Sequence, residues 1–239
     1  MQDIYKKIIS KPTVDEIYYN FFTRYISAYI TRVIFKSSLT PNLVSYIMLI
    51  CGIGAVYLLS LNDLKSLLFS GILFVSHNVL DTVDGDLARA RNQTSLFGKF
   101  IDQIVHSIIN PSIFFALYFR FYEIFNYSNL FILCGFIFLI DMYLKKNFEV
   151  LTNYKYSFSI SKSNKSSSKL LKFKPLKIIN DIFFSIIGFY HIIILIFIFD
   201  FIYAKNFMLN YSILFSLILL FKFALRIIIM LKILSNKKN

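Results

Sequence analysis

Four of the chain's 13 acidic residues, Asp81, Asp84, Asp86 and Asp102, fall in one short stretch, DTVDGDLARARNQTSLFGKFIDQIVH, which ends on His106. On a helix Asp81 and Asp84 are i and i+3 and share a face, and Gly85 and Ala88 continue along it. Asp102 and His106 are i and i+4 on the helix that follows. Two facing helices would then bring three carboxylates and an imidazole to one point. Like charges that close cannot all stay ionised without a counter-charge, and a divalent cation is the economical one. Oxygen ligation suits Mg²⁺ or Mn²⁺ better than Zn²⁺. Asp81, Asp84 and Asp102 are therefore the candidate metal ligands, with His106 as a further one. Gly85 and Ala88 leave room for a phosphate or a substrate backbone, and the guanidinium of Arg89 suits a pyrophosphate. A cation beside an arginine points to phosphoryl chemistry with an anionic leaving group. Asp86 lies off the shared face and is assigned to solvent. An EF-hand is excluded, because its alternating acidic positions and terminal Glu are missing.

Around this motif, His77 precedes Asp81 by four residues and is expected to orient its carboxylate; a hydrogen bond to a neighbouring helix is the alternative. Asn78, three before Asp81, is read the same way. Asn42 is a candidate nucleotide contact or a plain helix-start residue. Asp141, Arg226, Lys145, Lys146, Lys174, Lys177 and Asp181 could meet an acceptor, but topology explains the lysines without it. His191 is read as structural.

The elements that must carry these residues are membrane helices. The chain is 57% hydrophobic and only 16% charged, whereas a soluble domain carries about 25% charged residues. Six apolar segments approach the roughly 20 residues that a membrane helix needs: 41–61, 65–84, 98–119, 127–144, 178–203 and 207–234. The fold class is all-α integral membrane, and the whole of 1–239 reads as one membrane domain. Residues 14–38 are Tyr-rich and precede the first span, as an amphipathic helix lying in the interface would. Thr40 is placed to cap the first span, with Pro41 at its first position. Residues 153–175 are Ser/Lys-rich and read as a cytoplasmic connector near anionic lipid. The N-terminus lacks the apolar run of a signal peptide. Cys51 and Cys134 sit in separate apolar runs and read as buried hydrophobes.

The net charge of +13 follows the same topology. Six crossings put every one of the 26 basic residues except Lys65, Arg120 and Lys205 on one side. That bias places both termini and the acidic motif on the cytoplasmic face of the cell (inner) membrane. Nucleic-acid binding is excluded, since the basic residues are scattered among apolar blocks.

The motif as a whole resembles the signature of the CDP-alcohol phosphotransferase family, D-x-x-D-G-x-x-A-R-x8-G-x3-D-x3-D. Every fixed position and spacing matches except the last, where His106 stands for the family's fourth aspartate. Leu39-Thr40-Pro41-Asn42 is similar to the family's lead-in to its first span. The resemblance implies transfer of a phosphate-linked alcohol from a CDP-alcohol to the hydroxyl of a second alcohol, with release of CMP. It implies that Asp81, Asp84 and Asp102 hold two divalent cations, that Asp81, Asp84, Gly85, Ala88, Arg89 and Gly98 hold the CDP moiety, and that the enzyme is a homodimer. Phospholipid or related polar-lipid synthesis is the implied setting, with at least one substrate a lipid. The fourth aspartate is the family's general base. Imidazole, with an ordinary pKa near 6.5, can take that role, so His106 is read as base first and metal ligand second. Two rival readings stand beside this one. The first is a non-catalytic nucleotide- or lipid-binding relative. The second is a small transporter using the carboxylates as an ion site, against which the chain shows no repeats.

Overall fold

The computed structural model describes residues 23–123, 125–152, 185–203 and 207–236, and all regular structure among them is helical. The helices are α1 (Thr23–Ile34), α2 (Pro41–Ser60), α3 (Leu64–Ala90), α4 (Leu96–Arg120), α5 (Phe125–Thr152), α6 (Ile186–Tyr203) and α7 (Phe207–Asn236). The last six are long and apolar enough to cross a membrane. With the family membership reported below, they make the chain an integral membrane protein. The expected residues 14–22, 153–175 and 178–184 lie outside the described residues, as do Lys174, Lys177 and Asp181.

Each junction has a local cause. Thr40 Oγ1 accepts the Leu43 N–H at 3.2 Å, and Pro41 occupies the first turn of α2, where a missing N–H costs nothing. Asp63 and Ser95 cap α3 and α4 in the same way, accepting from Ser66 and Gly98. The α3 helix runs six residues beyond the expected end at 84, so the first half of the motif, Asp81 to Arg89, is wholly helical. It stops where Asn92 takes the left-handed conformation (φ 56°), with the Gln93 N–H returning to the Ala88 carbonyl at 2.8 Å. Asparagine tolerates that conformation better than most residues.

The α3 helix is the hub, packing against α1, α2 and α6, while α4 packs on α2 and α5. One apolar cluster joins Met48, Leu67, Phe74, Ile109, Phe114, Phe189 and Phe215. A smaller one, Val44, Val79, Val83 and Leu87, lies around the motif end of α3. Gly52 of α2 sits at a close helix crossing: a Cβ there would stand 2.8 Å from Ile109 and 2.9 Å from His77 Nδ1.

The amphipathic character expected before the first span is present in α1, with an unusual polarity. Its inward face is largely polar (Thr23, Arg24, Ser27, Thr31), and its outward residues are Tyr25, Ile26, Tyr29 and Val33. A helix with apolar residues outward and polar ones against the protein suits a lipid interface. Its C-terminal end is tied to the end of α3. The Arg91 guanidinium donates to the carbonyls of Ile34, Phe35, Ser37 and Leu39, satisfying groups that a helix end leaves open.

Candidate active site

The motif halves meet, but three of the four expected groups converge and Asp84 does not. His106 Nε2 lies 3.1 Å from Asp81 Oδ1 and 3.2 Å from Asp102 Oδ1. One donor atom from each of Asp81, Asp102 and His106 falls within 4.8 Å of the others. Two carboxylates and one imidazole at that separation can grip a single divalent cation. The cluster keeps a solvent side, since the His106 side chain is 32% exposed.

Asp84 stands outside this trio. Its Oδ2 accepts the Ser45 Oγ–H of α2 at 2.5 Å. Beside it opens a cleft of about 180 Å³ lined by Asn42, Ser45, Asp84, Gly85, Ala88, Arg89, Gly98 and Asp102, among others. Asp102 thus borders both the trio and the cleft. The cleft collects the residues expected to hold a nucleotide, except Asp81, which sits with His106. Gly85 has a geometric reason to be glycine: a Cβ there would lie 3.1 Å from the Arg89 guanidinium, which folds back over it. The donor set, mostly carboxylate oxygens opening on a polar cleft, fits Mg²⁺ or Mn²⁺.

Three expectations are corrected. Asp86 is not solvated: its side chain is 2% exposed and paired with Arg24 at 2.9 Å and Arg89 at 2.8 Å. Arg89 lies at i+3 on the same helix, but Arg24, the buried partner, arrives on α1 and leaves no sign in the spacing of α3. His77 does not orient Asp81. It is fully buried, and its Nδ1 meets the Met48 carbonyl of α2 at 3.0 Å. This is the alternative of a bond to a neighbouring helix. Asn78 turns toward α1, where its Nδ2 donates to Thr23 Oγ1 at 3.4 Å. His191 bonds the Ile187 carbonyl of its own helix, as a structural residue does. Asp141 and Arg226 pair with each other, between α5 and α7. Cys51 and Cys134 are free thiols; Cys134 is buried and Cys51 half-buried.

Ser45 was not anticipated. Its signal was available: Asn42 and Ser45 form an i, i+3 polar pair at the start of an otherwise apolar span, and polar groups in membrane helices tend to face protein.

Comparisons with known proteins give the chain a family. The model of the family described as CDP-alcohol phosphatidyltransferase matches residues 38–231, from the turn before α2 into the last helix. The chain is 33% identical over 107 residues to the bifunctional IPC transferase and DIPP synthase of Thermococcus kodakarensis, a match covering 45% of this chain and 23% of that protein. It is 38% identical over 64 residues to the CDP-diacylglycerol–inositol 3-phosphatidyltransferase of Drosophila melanogaster, covering 27% of each. These matches span about a quarter of the length of either relative. With the family model covering most of the sequence, the chain belongs to the CDP-alcohol phosphatidyltransferase family.

Proposed function

We propose that this protein transfers a phosphate-linked alcohol from a CDP-alcohol to the hydroxyl of a second alcohol and releases CMP. The observation that carries the reading is the convergence of Asp81, Asp102 and His106 at the edge of the cleft that Asp84, Gly85, Ala88, Arg89 and Gly98 line. Asp81, Asp84 and Asp102 would hold divalent metal, two ions by analogy with the family, and the metal would neutralise charge on the reacting phosphate and the CMP leaving group. Arg89 orients the phosphates across Gly85. Ser45 fixes the Asp84 carboxylate in one rotamer. With Asp81 and Asp102 turned to metal, the neutral His106 ring would be free to take the proton of the acceptor hydroxyl. The Asn42 side chain, on the opposite wall, contacts the nucleotide.

The names of the two relatives make CDP-diacylglycerol a donor to test and inositol or its phosphate an acceptor to test. We place the site and both termini on the cytoplasmic face of the cell membrane, from the basic-residue bias, and read the chain as one membrane domain acting as a homodimer. A second reading, a non-catalytic binding relative, is favoured by one observation: His106 Nε2 is already engaged by two carboxylates. One experiment separates the two. The purified protein in lipid nanodiscs is offered CDP-alcohols with polar and lipid acceptors, and CMP is measured with and without a chelator. Metal-dependent CMP release is expected. Binding of CDP with no CMP from any pair would favour the second reading, and release that persists in chelator would overturn the metal assignment.

A further inference from the structure

Arg89 does not stand alone over the cleft. Its Nη2 donates to Asp86 Oδ1 at 2.8 Å, and the same oxygen accepts Arg24 Nη1 at 2.9 Å. Asp86 Oδ2 accepts that Arg24 nitrogen as well, at 3.0 Å. The side chains of Arg24 and Asp86 are 4% and 2% exposed, while Arg89 is 49% exposed and lines the cleft. One buried carboxylate is therefore shared between a buried arginine and a cleft arginine. Asp86 and Arg89 by themselves would be neutral as a pair. With Arg24 the trio carries one net positive charge, and its solvent-facing end is Arg89.

Arg24 is delivered by α1, whose polar face packs on α3 and whose outward face carries Tyr25, Tyr29 and Val33. We infer that Arg24 is a positioning residue for the nucleotide site: by neutralising Asp86 it leaves Arg89 a net cation toward the cleft, so that the docked amphipathic helix is a working part of anion binding. The inference rests on the proposed reading of the cleft as a CDP site.

Opposite signs distinguish this role from a structural one. Affinity for CDP is measured on the full chain in nanodiscs, with divalent metal present, alongside the unfolding temperature of each variant. Arg24→Gln is expected to weaken CDP binding roughly tenfold, near the low end of what one hydrogen bond to a charged group carries. Asp86→Asn, which breaks the same buried pair but removes the negative charge, is expected to hold or tighten CDP binding. The double variant is expected to return close to the parent. A structural role predicts instead that both single variants weaken binding and that the double is no better. That pattern, or an Arg24→Gln protein that binds CDP as the parent does, overturns the inference and leaves the proposed function standing. A parent protein that fails to bind CDP overturns the proposed function and this inference with it.

Discussion

The motif helices α3 and α4 and the later helices α5 and α7 are enclosed to different degrees. In α3 and α4, 56% and 44% of the membrane-crossing stretch is buried within the protein; in α5 and α7 the shares are 22% and 17%. The first pair is the more enclosed and can hold polar groups, while α7 turns residues such as Leu217, Phe221, Leu225 and Ile228 outward; α2 and α6, at 33% and 39%, lie between. Each group nevertheless takes part in an arginine–aspartate pair. Arg24–Asp86 leads through Arg89 to an open polar cleft. Arg226–Asp141 joins α7 to α5 beside a cavity of only about 70 Å³, lined in part by Cys134, Phe138 and Phe223. An ion pair in a membrane helix is thus not a sign of chemistry by itself. Chemistry is marked by convergence of carboxylates from two helices, next to small residues that leave room for a ligand.

Substitutions at four positions would break or sharpen this contrast. Asp102→Asn should have the largest effect, since Asp102 borders both the His106 trio and the cleft. CMP release should fall by roughly a thousandfold, the scale of metal-centred charge stabilisation, in an assay at saturating donor. Replacing His106 should come next. Ala should cost about a hundredfold or more, as loss of a positioned base does, while Asp restores turnover; an Ala protein that works like the parent would remove the base role. Gly52→Ala should act on stability, because its Cβ would press on Ile109 and His77 at under 3 Å. Overpacking of that kind costs about 1–3 kcal/mol, read as a lower unfolding temperature in detergent. Arg226→Gln should be mildest, lowering the unfolding temperature by about 2–4 °C while CMP release is kept. A collapse of turnover there would erase the distinction between the two groups of helices.

The parts of this site legible in the sequence were those fixed by spacing within one helix. The intervals Asp81–Asp84–Gly85–Ala88 and Asp102–His106 follow directly from helical periodicity; the structure joins Asp81 to Asp102 and His106, and sets Asp84, Gly85 and Ala88 along the cleft that Asp102 also borders. The residues misread were those whose partners come from elsewhere. Hydropathy ends the second span at Asp84, yet α3 continues to Ala90, and Arg24, 62 residues earlier than Asp86, satisfies that carboxylate inside the protein. His77 and Asn78 share α3 with Asp81, which suggested a role beside it. Met48 and Thr23 claim them instead. Local spacing says which side chains lie on one face, while their choice among competing partners is made by packing between helices.

The ties between α1 and α3 also have a consequence in time. A chain made from its N-terminus produces α1 before any of the groups that complete it. Asp86 is added 62 residues after Arg24, and Arg91, which closes the carbonyls at the end of α1, comes later still. At about 5–20 residues per second, α1 spends seconds without its polar partners. Tyr25, Ile26, Tyr29 and Val33 are what can hold it at the bilayer surface during that interval. The outward apolar face then serves as a waiting position, and arrival of the motif end of α3 converts a surface-bound helix into a fixed wall of the protein.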